Sequence, residues 1–417
     1  MIIMKIAFFV WEYWPRLVGG LGTYAIEITK KFKEMGHEIT VFTLNDGTLK
    51  TYEEWDGIEI HRPMLVDSSK VFPIFVREDL KRWGTHIKFF SDIFSYNYLS
   101  ASKFVNLLVK RKKEKFDVVA FHDWLAAFAG AIIEKEIPSL PTVFHVHSIE
   151  EQRALGGGSQ VIKEIEREAA RDADSIITVS YSMKDFLVSL GYPKEKINVC
   201  YNGCDPEKYD PKKVDPKKVE ELKKLYGIKP EEKVIFFIGR LTAVKGVYNL
   251  VNAMPLVLEE FPDVKLVILG KGEQYKDLIT FVQQHNIGNK VIIRSEWVSE
   301  EERILHYVMA DVCVFPSLSE PFGIVSLEAM AMERPVVVGA SGISGLREQV
   351  IPSGPNRTGV HIDGNKPEDI AWGIKEVLRN FEEAKKWGKN GRKRVLKEFT
   401  WEKAAKRTLA IYEKLVK

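Results

Sequence analysis

The sequence predicts an α/β protein built from two doubly wound domains, each a parallel sheet with helices on both faces. Three observations predict it. Two stretches of the chain share one layout: a continuous apolar strand, a glycine-bearing loop, then an amphipathic helix. Further apolar runs of strand length alternate with helical patterns in both halves, and strands without polar alternation are buried on both faces. With 417 residues, each half can bury a core of its own.

In the first half, residues 5–10 form the opening strand. The loop Gly19-Gly20-Leu21-Gly22 follows, then a helix over about 23–35 that Gly36 stops. Residues 38–43, 117–121, 142–146 and 175–179 continue the strands. Residues 63–115 read as an insertion, rich in aromatics and helical in pattern. The run Gly156-Gly157-Gly158-Ser159 reads as a mobile loop ahead of a charged helix over 160–171. The basic run at 110–115 reads as a solvated helix end.

The second half opens with a strand at 233–238, then Gly239-Arg240 and a helix over about 246–260. Strands follow at 265–269, 291–293, 312–315 and 335–338. The boundary falls near 202–232, where the polar, Pro-bearing segment 210–218 reads as a linker.

Composition narrows the function classes. The 61 basic residues nearly balance 58 acidic ones, leaving a net charge of +3 and no global field for nucleic acid or a membrane surface. No apolar run reaches membrane-spanning length, and the short apolar N-terminus reads as a strand, not a leader. Cys200, Cys204 and Cys313 lack a second Cys/His pair for a structural zinc site, so they read as reduced thiols of a cytoplasmic protein.

Two constellations carry chemistry. Arg240 and Lys245 follow a buried strand, at the carboxyl end of the sheet where doubly wound folds bind ligands. A guanidinium and an ammonium five residues apart can grip a diphosphate from two directions, although loop cations are more often simply solvated. Glu320-Pro321-Phe322-Gly323 then leads into a helix carrying Glu328. Its N-terminus offers unpaired N–H groups, and Gly323 lets an anion approach the backbone. The plain alternative is that Glu320 complements the helix dipole and Glu328 lies on a polar face.

These segments resemble the sugar-donor motifs of the retaining glycosyltransferases of GT-B fold, the superfamily that unites glycogen and starch synthases with glycosyltransferase family 4. The resemblance spans nearly the whole chain, in order. It takes in Gly19-Gly20-Leu21, then His122-Asp123-Trp124, which is similar to a glycogen synthase segment, and His147 after its strand. It continues through Asn202-Gly203-Cys204-Asp205 and Gly270-Lys271-Gly272, and ends at Phe399-Thr400-Trp401 before a terminal helix. It implies two Rossmann-like domains facing across a cleft: an acceptor-side domain at 1–203, a nucleotide-sugar domain at 204–399, and a helix at about 400–417 returning to the first.

The resemblance also implies roles. Arg240 and Lys245 neutralise the diphosphate, Glu320 lies against the transferred sugar, and His147 binds one of its hydroxyls; these four form the catalytic set. Glu328 bonds the ribose. Gly20, Gly239, Gly270, Gly323 and Ile324 admit or bond the nucleotide sugar, and His122, Asp123 and Asn202 line the acceptor side or cleft. One departure stands out: Leu17 occupies the place where bacterial glycogen synthases carry a lysine, with Arg16 beside it. His122, His145 and His147 cluster around two strand ends, but no carboxylate-rich ligand set accompanies them, so no metal is expected.

The implied activity is same-face transfer of glucose from a nucleotide diphosphate glucose to an α-glucan, without cofactor, nucleic acid or integral membrane segment. The alternatives are a family 4 enzyme with a small-sugar, sugar-phosphate or lipid-linked acceptor, a non-catalytic nucleotide-sugar or glucan-binding protein, and a sugar-nucleotide epimerase. The nucleotide base and the oligomeric state leave no side-chain signature.

Overall fold

The computed structural model describes residues 2–69 and 87–417. Contacts divide the chain into two compact units, Met1–Tyr201 with Trp401–Lys417, and Asn202–Thr400. Residues 70–86 of the inferred insertion lie outside the described residues; its flank from Ile87 to Arg111 is helical.

The first unit runs β1 (Lys5–Phe9), α1 (Gly20–Glu34), β2 (Glu38–Phe42), β3 (Tyr52–Trp55), β4 (Ile58–His61), α2 (Ile87–Ser102), β5 (Val118–His122), α3 (Trp124–Glu136), β6 (Thr142–Val146), α4 (Glu150–Arg153), α5 (Gln160–Asp172), β7 (Ser175–Thr178), α6 (Tyr181–Ser189) and β8 (Ile197–Val199). Its sheet order is β3-β4-β2-β1-β5-β6-β7-β8. Only β3 is antiparallel, at the edge. The order reverses between β1 and β5, so the loops after those two strands flank the switch point where ligands bind in such sheets.

The second unit runs α7 (Pro216–Leu225), β9 (Lys233–Ile238), α8 (Val247–Leu258), β10 (Val264–Leu269), α9 (Tyr275–Gln284), β11 (Val291–Arg294), α10 (Glu300–Met309), β12 (Val312–Phe315), α11 (Ile324–Ala331), β13 (Val336–Gly339), α12 (Leu346–Gln349), β14 (Gly359–Ile362), α13 (Pro367–Arg379) and α14 (Phe381–Glu398). The all-parallel order β11-β10-β9-β12-β13-β14 places its switch point between β9 and β12. The strands are continuous apolar runs because both faces are covered. Ile235 and Phe237 of β9, for instance, pack with Leu250 and Met254 of α8.

The last helix, α15 (Trp401–Val416), belongs to the first unit. Tyr412 reaches the sheet interior there, with its hydroxyl 2.6 Å from His145 Nε2.

Two expectations change. The Asp-Pro segment at 210–218 is not a linker but folded structure of the second unit. Asp210 and Asp215 accept from the amides of Lys212 and Lys217, and Pro211 and Pro216 occupy first helical positions. Asp-Pro is a helix start as readily as a breaker. The glycine run at 156–159 is tied down by its neighbours. Glu150 accepts from the Ser159 amide at 3.0 Å, and the Gly156 amide donates to the Glu151 carbonyl. No helix among the described residues is long and apolar enough to cross a membrane.

Candidate active site

In the second unit, Gly239 and Arg240 leave β9 at the switch point. The Gly270 backbone packs against them so closely that a Cβ there would lie 1.9 Å from the Gly239 carbonyl oxygen. Arg240 is exposed and has no ion-pair partner among the described residues. Lys245 sits on a single 3₁₀ turn, Ala243–Lys245, closed by Gly246 at φ 67°. A Cβ at Gly246 would meet the Pro316 carbonyl oxygen at 2.0 Å, so glycine is required on two counts.

From the other side of the switch point comes the loop after β12. Glu320 is anchored through its backbone, its N–H donating to Ile343 and its carbonyl accepting from Gly345, both at 2.8 Å. Its carboxylate pairs with the Lys245 ammonium, and Ser317 Oγ lies 3.5 Å away. Gly323, at φ 87°, caps α11 with no side-chain partner; the Ser326 amide donates to the Gly323 carbonyl at 3.2 Å, which leaves the amides of Ile324 and Val325 for a ligand or water.

Glu328 lies deeper. It is only 4% exposed, and its two oxygens accept from Tyr209 Oη at 2.9 Å and Tyr307 Oη at 2.7 Å, with Arg303 3.5 Å away. Burial drives the Tyr307 hydroxyl well above its ordinary pKa, with the Glu328 charge acting in the same direction, so it stays a donor. Tyr209, Tyr307 and Arg303 carry no sequence signal, because they reach Glu328 from distant positions. Asn202 is buried, with its Oδ1 unpartnered.

In the first unit the structure gathers His122, His145 and His147 with Tyr24. The ring centroids of His122 and His145 are 4.5 Å apart, and those of Tyr24 and His147 are 4.4 Å apart. Burial lowers all three imidazole pKa values, that of His147 to about 3. His122 Nδ1 donates to the Phe9 carbonyl at 2.9 Å, which leaves its Nε2 as an acceptor, buried without a partner; His147 Nε2 is likewise unpartnered. One ring nitrogen of each histidine lies within 4.8 Å of those of the other two, and Tyr24 and Tyr412 hydrogen-bond to the two nitrogens of His145. The cluster presents neutral hydrogen-bonding groups.

Asp123 holds the backbone of the loop after β6. Its Oδ1 accepts from the amides of His147 at 2.7 Å and Ser148 at 3.3 Å, while burial raises its pKa to about 6 against the pull of Arg153. It therefore positions the His147 loop. Gly20 opens α1 on the loop after β1. Arg16, beside Leu17, lies over the Trp11 ring at 4.7 Å, with Nη1 3.4 Å from the Trp11 carbonyl.

Comparison with known proteins bears on the family and the fold. Residues 18–208 match Glycosyltransferase Family 4, and residues 218–394 match glycosyl transferases group 1. An uncharacterised glycosyltransferase of Methanocaldococcus jannaschii is 33% identical over 98% of both chains. A glycogen synthase of Mycobacterium tuberculosis is 28% identical over 98% of this chain and 94% of its own. Among solved structures, the catalytic domain of starch synthase IV from Arabidopsis thaliana, bound to ADP and acarbose, superposes with a TM-score of 0.78 at 17% identity, covering 99% of each chain. With two doubly wound units and a full-length relative above 30% identity, the chain belongs to the glycosyltransferases of GT-B fold, the group that holds family 4 and the glycogen and starch synthases.

Proposed function

We propose that the chain is a retaining glucosyltransferase that moves glucose from a nucleotide diphosphate glucose to an α-glucan. The observation that carries this reading is the Lys245–Glu320 pair at the β9/β12 switch point, with Arg240 on the loop that leaves β9 and the N-terminus of α11, uncapped by a side chain, on the loop that leaves β12. It is a cationic, amide-lined position suited to a diphosphate, with a carboxylate beside it for sugar hydroxyls.

As the bond between the sugar C1 and the diphosphate oxygen breaks, negative charge grows on that oxygen. Arg240, Lys245 and the α11 amides meet charge that the intact substrate carries less of, so they stabilise the transition state more than the ground state. The acceptor hydroxyl bonds to C1 on the same face, and its proton passes to the departing phosphate oxygen. Two cations and a helix end take the part a metal plays elsewhere. Glu328 has accepting capacity beyond its two tyrosine bonds and serves the ribose hydroxyls. The neutral imidazole of His147 serves a sugar hydroxyl. The M. tuberculosis relative favours a glucan acceptor.

The test is nucleotide release from ADP-, UDP- and GDP-glucose, with and without glycogen or maltooligosaccharide. Release that rises at least tenfold with glucan is the expected result. Release indifferent to glucan but raised by a sugar phosphate or a lipid-linked sugar moves the acceptor to that class, and silence with all donors removes the catalytic reading.

A further inference from the structure

Within the second unit, the loops that carry Lys245 and Glu320 are tied to each other and cannot drift apart. The Leu318 amide, two residues before Glu320, donates at 2.9 Å to the carbonyl of Val244, one residue before Lys245. The Gly246 backbone packs against the Pro316 carbonyl. On its other side the Glu320 backbone forms a short parallel bridge with Ser344. Ser344 Oγ donates in turn to the carbonyl of Gly339, the last residue of β13, at 2.7 Å. The carboxylate is therefore a fixed feature of the space around the Lys245 ammonium, and an anion that approaches one approaches the other.

For a site that had only to hold phosphate, this is a poor arrangement. Glu320 neutralises one of two cations and repels the ligand, so that Arg240, Lys245 and Glu320 together leave one net positive charge in place of two. The arrangement has a use when two ligands must be told apart. A nucleotide sugar carries one charge on each phosphate, and its sugar hydroxyls can donate to a carboxylate. The nucleoside diphosphate left after transfer has lost those hydroxyls. The proton that its terminal phosphate takes from the acceptor is lost to water, because such a phosphate has its second pKa at about 6, and a further negative charge appears. At neutral pH the same carboxylate is a hydrogen-bond partner for the first ligand and a source of repulsion for the second.

We propose that Glu320 is a specificity-determining residue that sets the site against its own sugar-free product: its carboxylate competes with the nucleoside diphosphate for the Lys245 ammonium, and its repulsion is offset only while sugar hydroxyls are bonded to it. The proposal rests on the nucleotide-sugar reading above. It gives Glu320 a part in product release as well as in contact with the sugar. Specificity here is a difference of affinities, obtained by disfavouring one ligand more than the other.

Calorimetric titration of the full-length chain tests it, with ADP, UDP and GDP and with the corresponding nucleotide glucoses in the absence of acceptor. Glu320→Gln keeps an oxygen that can accept from Lys245 but carries no charge; Glu320→Ala removes both. Melting curves establish that each variant is folded; Gln decides, and Ala is read where Gln does not fold. The variant is expected to bind the diphosphate that wild type binds best about fivefold or more tightly, the effect of withdrawing a charge from beside a phosphate in a largely buried site. It is expected to bind the matching nucleotide glucose no more tightly than wild type does, since the repulsion relieved is matched by hydroxyl bonds weakened. A merely structural role would weaken both ligands together. Diphosphate affinity unchanged or lowered in the folded variant overturns the proposal, as does equal tightening of the two ligands. A wild type that binds none of these nucleotides or nucleotide glucoses refutes the nucleotide-sugar reading, and the proposal with it. A wild type that binds them, beside a variant that shows no gain, overturns the proposal and leaves that reading standing.

Discussion

Lys245 and Glu320 are ion-paired across the β9/β12 switch point of the second unit, 75 residues apart in sequence. The two side chains are mostly buried, at 21% and 10% exposure, so each holds the other in place. Lys245 has three N–H groups, and the carboxylate does not exhaust them. Under the proposed function, a diphosphate beside the pair meets an ammonium already oriented by Glu320. Arg240 differs: it is exposed and has no ion-pair partner among the described residues.

That contrast separates two variants. Arg240→Ala is expected to leave the melting temperature within about 1 °C, since surface changes of this kind fall within ±0.5 kcal/mol. Turnover should fall about 100-fold or more. Lys245→Ala should lose comparable activity and also about 1–3 kcal/mol of stability, because Glu320 is left largely buried without its partner. Thermal melts beside nucleotide-release assays check both. Near-normal turnover in both variants removes the diphosphate assignment.

Gly270→Ala should act on the nucleotide site through backbone alone. The added Cβ would stand 1.9 Å from the Gly239 carbonyl oxygen and 3.1 Å from Leu241 Cδ2, so the segment bearing Arg240 must move. Nucleotide affinity is expected to fall at least tenfold, from misplacement of the cation. Calorimetric titration with the released nucleotide measures it. Unchanged affinity would show that Gly239 and Arg240 do not set the site.

How far the sequence disclosed this protein depended on distance along the chain. Strands β6 and β12 were legible to the residue, because sequences such as Val312-Cys-Val-Phe315 are apolar throughout and buried on both faces. Strands β3, β4, β8 and β14 were missed. They are short, and Tyr52–Trp55, with two glutamates between its aromatics, lies at an edge with no buried residue. Gly323 and Glu320 were legible because their chemistry is local, a loop leading into a helix. Tyr209 and Tyr307 were not, since they meet Glu328 from 119 and 21 residues away and have no spacing signal until the chain folds back.

Glu328 can be tested by that enclosure. Glu328→Ala would strand two buried tyrosine hydroxyls and leave Arg303 facing a void, an expected loss of about 3 kcal/mol or more. Glu328→Gln keeps an acceptor for one hydroxyl and should cost less than half as much. If the carboxylate also serves the ribose, Gln will still weaken nucleotide binding severalfold in a nearly fully stable protein. Chemical denaturation of both variants, with nucleotide titration of Gln, separates the structural role from the binding role.

The histidine cluster makes a prediction in pH. His122 is fully buried, and burial holds its pKa well below the ordinary value, so it stays neutral in the folded chain. In the unfolded chain it titrates near 6.5. Between those values the unfolded state binds more protons, so stability contributed at this residue is present above about pH 6.5 and is lost as pH falls. At pH 5 the loss from one such histidine is about 2 kcal/mol. His145, buried to the same end, adds a similar amount. His122→Asn offers an amide N–H that can replace the bond to the Phe9 carbonyl and has no proton to gain. Its stability should therefore fall by about 2 kcal/mol less than that of wild type between pH 7.5 and pH 5, as read by urea denaturation at each pH. Equal losses in the two proteins would mean that His122 takes up a proton inside the folded chain.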